Sequence, residues 1–248
     1  MCRYWKQGCL TILPILNWIL LGSGDIDKAL ESLQSMRSEG LEPDIITYTS
    51  LIKACMMNLP TLLASDTGDE THILGDIEAV QYRSRKIEET VRIAEEIFNS
   101  MQQRTNHFST YIAPNQLTYQ RLIQTHWTAV SLLSNMSSEI DLVKGHVSRI
   151  WSLYDTMRVD RMSPGPQIYG CCIRAARWQR NLELGLTVLE HIRTDPSMAT
   201  TTLLLPTINE GGKVGFDLRS WQIVASMAMD MGRADVQQEL LSEINKTI

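Results

Sequence analysis

Leu41-Glu42-Pro43-Asp44-Ile45-Ile46-Thr47-Tyr48-Thr49-Ser50-Leu51-Ile52 and Ile112-Ala113-Pro114-Asn115-Gln116-Leu117-Thr118-Tyr119-Gln120-Arg121-Leu122-Ile123 follow one plan. Each has a proline turn, an acid or amide after it, a Thr-Tyr pair, and then an apolar run at helical spacing. Proline cannot continue a helix, so each copy marks where one helix ends and the next begins. Met162-Ser163-Pro164-Gly165-Pro166-Gln167-Ile168-Tyr169, continuing to Ile173, is a weaker copy. Recurrence on this scale is the sequence signature of stacked repeats, in which each helical unit hides its apolar face on the next.

Working outward from these copies, the spacing predicts a helix over Asp25 to Glu39. Ile26, Ala29, Leu30, Leu33 and Met36 share one face there. Asp25 suits its N-cap and Gly40 its C-terminal stop. Further helices are predicted at 46–57, 86–103, 117–133, 142–159, 167–178, 182–193, 218–231 and 234–245. Asn58-Leu59-Pro60 reads as a helix end. Ser65 to Glu70 and Arg104 to Ala113 read as polar loops, and Asp195 to Gly215 as a Thr- and Gly-rich connection. No alternating run is long enough to demand a sheet, so the expected class is all-α.

The repeated stretches resemble the pentatricopeptide repeat, a unit of 35 residues with an aromatic at position four and an apolar residue closing the second helix at position twenty-seven. Tyr169 and Ile192 stand 23 residues apart, as an uninterrupted unit requires, and Met157 and Ile192 stand 35 apart. Met36 to Tyr48 and Met157 to Tyr169 both step by 12 into the next unit. Tyr48 to Met101 and Tyr119 to Met157 are longer, at 53 and 38 residues, which places insertions at 58–85 and 131–144. The expected architecture is therefore a single right-handed α-solenoid of about five helix-turn-helix repeats. Its units lie at about 10–44, 45–115, 116–165, 166–200 and 218–248. The Trp-Leu-Gly-Tyr pattern of tetratricopeptide repeats is missing.

The resemblance implies binding of single-stranded RNA in an organelle, mitochondrion or plastid, with about one base read per repeat. Carried over residue by residue, position five and the last position of the second unit are Thr49 and Asn115, with Ile46 packing on the base. That pairing resembles the family's adenine reader. The third unit offers Gln120 and Leu117, but its last residue is Gly165, which has no side chain to read with. The fourth unit, with Gly170 and Gln167, departs from the pattern, as does Pro14 in the first, where it is paired with Asp44. Lys53, Arg174 and Arg177 stand on first helices, where relatives present cations to phosphate. On the residues alone, Thr49 also reads as a helix cap and Asn115 as a turn residue.

Composition narrows the partners. The net charge of −5 and pI near 5.6 leave any contact with nucleic acid to a local patch. Residues 144–193 supply such a patch, with eight Lys or Arg against four Asp or Glu, although a solvated helix face accounts for the same run. Acidic charge, incomplete code positions and long insertions support the alternative of a non-catalytic adaptor solenoid in an organellar ribosome or another large complex. The five histidines form no catalytic or metal-binding motif, and Gly211-Gly212-Lys213 lacks phosphate-loop spacing, so no enzyme, cofactor or small-molecule substrate is expected. The five cysteines show no Cys-x-x-Cys and read as small buried residues. Trp127, Trp151, Trp178 and Trp221 read as packing residues. The apolar run Cys9 to Leu21, ahead of Gly22-Ser23-Gly24, fits either the first helix of the first unit or a signal-like segment, and is short for a membrane span.

Overall fold

The computed structural model of the chain describes residues 26–40, 43–64, 76–104, 112–136, 139–195, 198 and 218–247, and all secondary structure among them is helical. The readings on Pro14, Cys9 to Leu21, the Asp25 cap and Ser65 to Glu70 lie outside the described residues, as do most of the Arg104–Ala113 loop and the connection before Leu218.

The helices are α1 (Ile26–Ser38), α2 (Ile45–Ala64), α3 (Asp76–Arg104), α4 (Gln116–Leu133), α5 (Ile140–Val159), α6 (Pro166–Trp178), α7 (Leu182–Thr194), α8 (Leu218–Asp230) and α9 (Ala234–Thr247). They form two compact bodies, residues 1–149 and 150–248, with the boundary inside α5. In the N-terminal body α1 packs on α2, α2 on both α3 and α4, and α3 on α4. In the C-terminal body α6 packs on α7 and α8, α7 on α8, and α8 on α9. Within each body a first helix, α2 or α6, therefore meets its own partner and the first helix of the following unit, as stacking in sequence order demands.

The register residues make the core. Met36, Tyr48, Met101, Tyr119, Met157, Tyr169 and Ile192 are all buried. Phe98 meets Tyr119 edge to face with ring centroids 5.1 Å apart, a pairing worth about 0.5–1.5 kcal/mol beyond area burial. Gly40 closes α1 with φ +73°, and Gly232 closes α8 with φ +71°, the left-handed stop that glycine adopts without a Cβ clash.

Two expected boundaries are corrected. Asn58-Leu59-Pro60 does not end α2, which runs through Pro60 to Ala64. An internal proline removes one helical hydrogen bond and crowds the carbonyl four residues back, at a cost of about 3 kcal/mol. Leu59 is fully buried, and burying a leucine returns about 1.5–3 kcal/mol. Likewise α3 starts at Asp76, ten residues before Lys86. Its buried stripe uses Ser84 and Thr90 alongside Ile87, Val91 and Ala94, and polar residues on a core face hide that face from a hydropathy pattern.

The insertions at 58–85 and 131–144 are thus taken up largely as added helix. α2 and α3 have 20 and 29 residues, and α4 and α5 have 18 and 20, against 13 each in α6 and α7.

Candidate nucleic-acid interface

The two sequence copies become two equivalent helix starts. At α2, Asp44 Oδ1 accepts from the backbone N–H and the hydroxyl of Thr47, both at 2.8 Å. At α4, Asn115 Oδ1 accepts from the Thr118 N–H and hydroxyl, both at 3.0 Å, and the Asn115 N–H donates back to Thr118 Oγ1 at 3.4 Å. These bonds satisfy amides that a helix start otherwise leaves open.

A further bond joins the two starts. Thr49 Oγ1 lies 2.8 Å from Thr118 Oγ1, in a buried contact between α2 and α4. A hydroxyl has one hydrogen, and Thr118 gives its own to Asn115, so Thr49 donates to Thr118. The line Thr49 to Thr118 to Asn115 is fully directed. It holds the Asn115 carbonyl oxygen in place and leaves its NH2 at an exposed position. Thr49 is buried, so it acts on Asn115 through Thr118. Thr118 was not among the residues singled out by sequence. The Thr-Tyr pair repeated at 47–48 and 118–119 was the signal that could have found it.

Ile46 and Leu117 occupy the same place in successive units and are 55% and 45% exposed. Two branched apolar side chains are thus open to solvent at the starts of the two helices, as is Asn115. Ile46, Thr49, Lys53 and Met57 follow one another at three- and four-residue steps along α2. Lys53 is half-buried and Met57 is exposed, and Gln120 is half-buried on α4.

The corresponding start in the C-terminal body is different. Gly165 precedes α6 at φ 76°, ψ 168° with no side-chain cap, and Pro166 opens the helix. Ile168 takes the place of Thr118 and is buried. Arg174 is half-buried with Nη2 3.4 Å from Cys171 Sγ. Arg177 faces Asp230 at 3.9 Å. Of the eight cations between 144 and 193, four meet carboxylates: Lys144 with Asp141, Arg149 with Glu95, Arg177 with Asp230, and Arg193 with Glu190 and Glu243.

The family model for the pentatricopeptide (PPR) repeat family matches residues 15–57. No curated protein matches the sequence. Among solved structures, the PPR domain of Arabidopsis thaliana protein-only RNase P 1, crystallised in complex with tRNA, matches with a TM-score of 0.55 at 13% identity. The match covers 95% of this chain and 86% of that one. At that identity the likeness concerns the fold, and the repeat signature agrees with it. Residues 15–57 thus match a pentatricopeptide repeat, within a helical fold similar to that of a PPR domain.

Elsewhere the cysteines among the described residues lie inside. Cys55, Cys171 and Cys172 are free and buried. Burial pushes the Cys55 thiol up to about 12 and raises the other two. Trp221 is core, with the Arg193 guanidinium 4.6 Å from its ring centroid. Asp195 closes α7 and accepts from Ser163 at 2.6 Å and Tyr169 at 2.8 Å. These three residues border a shallow cavity of about 230 Å³ that also touches Arg158 and His191. Among the described residues no helix is long and apolar enough to cross a membrane, and no group of three or more His, Cys, Asp or Glu could hold a metal.

One polar line, buried at its two histidines, was not visible in the sequence. Glu88 Oε1 lies 2.6 Å from His146 Nε2, His146 Nδ1 lies 3.0 Å from His126 Nδ1, and His126 Nε2 lies 2.8 Å from Glu95 Oε1. Arg149 donates to both Glu95 oxygens, at 2.6 and 2.9 Å. Burial by itself would raise the Glu95 carboxyl, but the hydrogen bonds from His126 and Arg149 outweigh it and hold the group at about 2. Burial lowers His126, against the pull of Glu95. The five residues come from three helices, so no spacing announces them.

Proposed function

We propose that this chain is a pentatricopeptide repeat protein that binds single-stranded RNA in a mitochondrion or plastid, acting in RNA processing, stability or translation, through the helix starts of α2 and α4. The observation that carries the proposal is that Ile46 and Leu117, at matching places in successive units, are both exposed, and that Asn115, also exposed, has its oxygen held by Thr118. A base packs between the two apolar side chains while the amide meets its Watson–Crick edge. Lys53 stands on the same line of α2 and supplies charge for phosphate. The tRNA bound to the PPR domain of protein-only RNase P 1 supports RNA as the class of partner.

The hydrogen bonds refine the specificity. The Asn115 oxygen is occupied by Thr118, so the amide can only donate. Adenine N1 and cytosine N3 are acceptors, whereas guanine N1 and uracil N3 carry hydrogens. A donor-only amide aimed at that ring nitrogen therefore favours adenine or cytosine at this position. Asn115→Asp keeps the cap and removes the donor, and should move preference toward guanine or uracil.

The test is binding of the full chain to single-stranded oligoribonucleotides differing at one base, at two ionic strengths. Affinity should fall steeply with salt, and Ile46→Ala with Leu117→Ala should weaken it about tenfold. Absence of binding to any single strand at low salt would overturn the proposal. It would leave the same apolar pair as a contact for a protein partner, as in an adaptor solenoid.

A further inference from the structure

We propose that Glu88, His146, His126 and Glu95 form a proton-holding line, buried at its two histidines, in which one proton shared between the two Nδ1 atoms clamps α3, α4 and α5 together and makes their packing depend on pH. The clamp stands whatever ligand α4 carries.

The inference follows from counting hydrogens. Each histidine directs Nε2 at a carboxylate oxygen, at 2.6 Å for His146 and 2.8 Å for His126, and a carboxylate accepts. Both Nε2 atoms therefore carry hydrogen. The two Nδ1 atoms face each other at 3.0 Å, which is hydrogen-bond distance and requires one hydrogen between them. Three ring hydrogens are needed, and two neutral imidazoles supply two. The line therefore holds one proton beyond two neutral rings and two ionised carboxylates. Without it, two nitrogen lone pairs would oppose each other in a buried site. A metal ion in place of the proton would hold nitrogens at about 2.0–2.1 Å each, and hence about 3.3 Å apart at a tetrahedral angle, wider than the gap present.

The charges agree. With the shared proton, the histidine pair and Arg149 balance Glu88 and Glu95, and burial disfavours any other total. Glu88 and Glu95 belong to α3, His126 to α4, and His146 and Arg149 to α5. Tyr119 of α4 also acts on Arg149. Burial, with His146 and Arg149, lowers His126 against the pull of Glu95, so it is the geometry of the line that calls for the shared proton.

The sign of the pH effect follows from proton numbers. Below the ordinary histidine value of about 6.5, the unfolded chain binds two protons on these rings and the folded chain one, so stability rises with pH. Above it, the unfolded chain binds none and the folded chain still holds one, so stability falls until the shared proton leaves. Each limb changes the folded-to-unfolded ratio by up to tenfold per pH unit.

Two measurements on the full chain decide it. In protein labelled with ¹⁵N-histidine, both Nε2 atoms should be protonated at pH 7.5, with one more proton bound by the Nδ1 pair. Two independent neutral rings at that pH would overturn the proposal. In denaturant unfolding, the falling limb above pH 6.5 should disappear in His146→Asn, whose amide N–H can meet His126 Nδ1 without an added proton. That variant loses the bond to Glu88, so its overall stability drops and the slope is the readout. An unchanged slope would also sink the idea, and if the variant does not fold the wild-type ring assignment still decides.

Discussion

The starts of α4 and α6 are the same place in successive repeats, built in opposite ways. At α4, Asn115 and Thr118 cap the helix and carry a hydroxyl line in from Thr49. At α6, Gly165 and Ile168 stand instead, with no side-chain cap. The surroundings differ in the same sense. The N-terminal body has lengthened helices and a charged line through its interior, whereas α6 and α7 keep the short regular unit. Repetition preserves the packing residues, and what differs between units is the polar chemistry placed on them.

The largest effect that would test this contrast is acid sensitivity of the N-terminal body. Glu95 is held at about 2 against an ordinary 4.5. A depressed carboxylate contributes stability that is complete above its unfolded value and lost as pH falls through the folded one. The wild type should therefore lose roughly 3 kcal/mol between pH 4.5 and 2 from this group. Glu95→Gln should start less stable and lack that loss. Urea unfolding at stepped pH measures it, and parallel curves for the two proteins would remove Glu95 as the source.

Swapping the helix starts comes next. Gly165→Asn would place the α4 residue at α6, but φ 76° with ψ 168° is a backbone region that only glycine occupies readily. The change should cost about 1–3 kcal/mol and create no base-reading position. A stability equal to wild type would mean that α6 can adopt the α4 start. Thr118→Val makes the reverse move. It leaves the buried Thr49 hydroxyl without its acceptor and Asn115 with one donor fewer, at a cost of about 1–2 kcal/mol. It should also loosen base preference while leaving the packing of Ile46 and Leu117 intact. Preference unchanged in an oligonucleotide competition would show that Asn115 needs no support from Thr49.

How much of this was legible follows from which residues repeat. Tyr48, Tyr119 and Tyr169 gave the register because each fills the same buried slot, and the helical class came with them. The helical residues on either side of Ser65 to Glu70 did not read as helix, because Ser84 and Thr90 lie on the buried face of α3 and Pro60 lies inside α2. Ile46, Thr49, Asn115 and Leu117 are candidates by register alone, and register does not show how they are connected. That Thr49 is buried and acts through Thr118 depends on the approach of two helices 69 residues apart in sequence. The histidine line is more remote still, since Glu88 and His146 are 58 residues apart and each looks like an ordinary helix-face residue in isolation.

The smallest effect concerns the turns that close helices. Gly40 ends α1 in a left-handed conformation, whereas the equivalent turns after α5 and α6 put arginine there, Arg161 at φ 55° and Arg180 at φ 51°. A Cβ in this region costs roughly 1–2 kcal/mol. Arg180 is exposed, and its backbone N–H donates to the Arg177 carbonyl at 3.0 Å, which any residue can do. Arg180→Gly should relieve the clash, while glycine's greater freedom in the unfolded chain takes back part of the gain. The net expectation is stabilisation of roughly 0.5 kcal/mol, read from a thermal melt. A loss instead would show that the Arg180 side chain makes an energetic contact, and would place at this turn a constraint that the Gly40 turn does not carry.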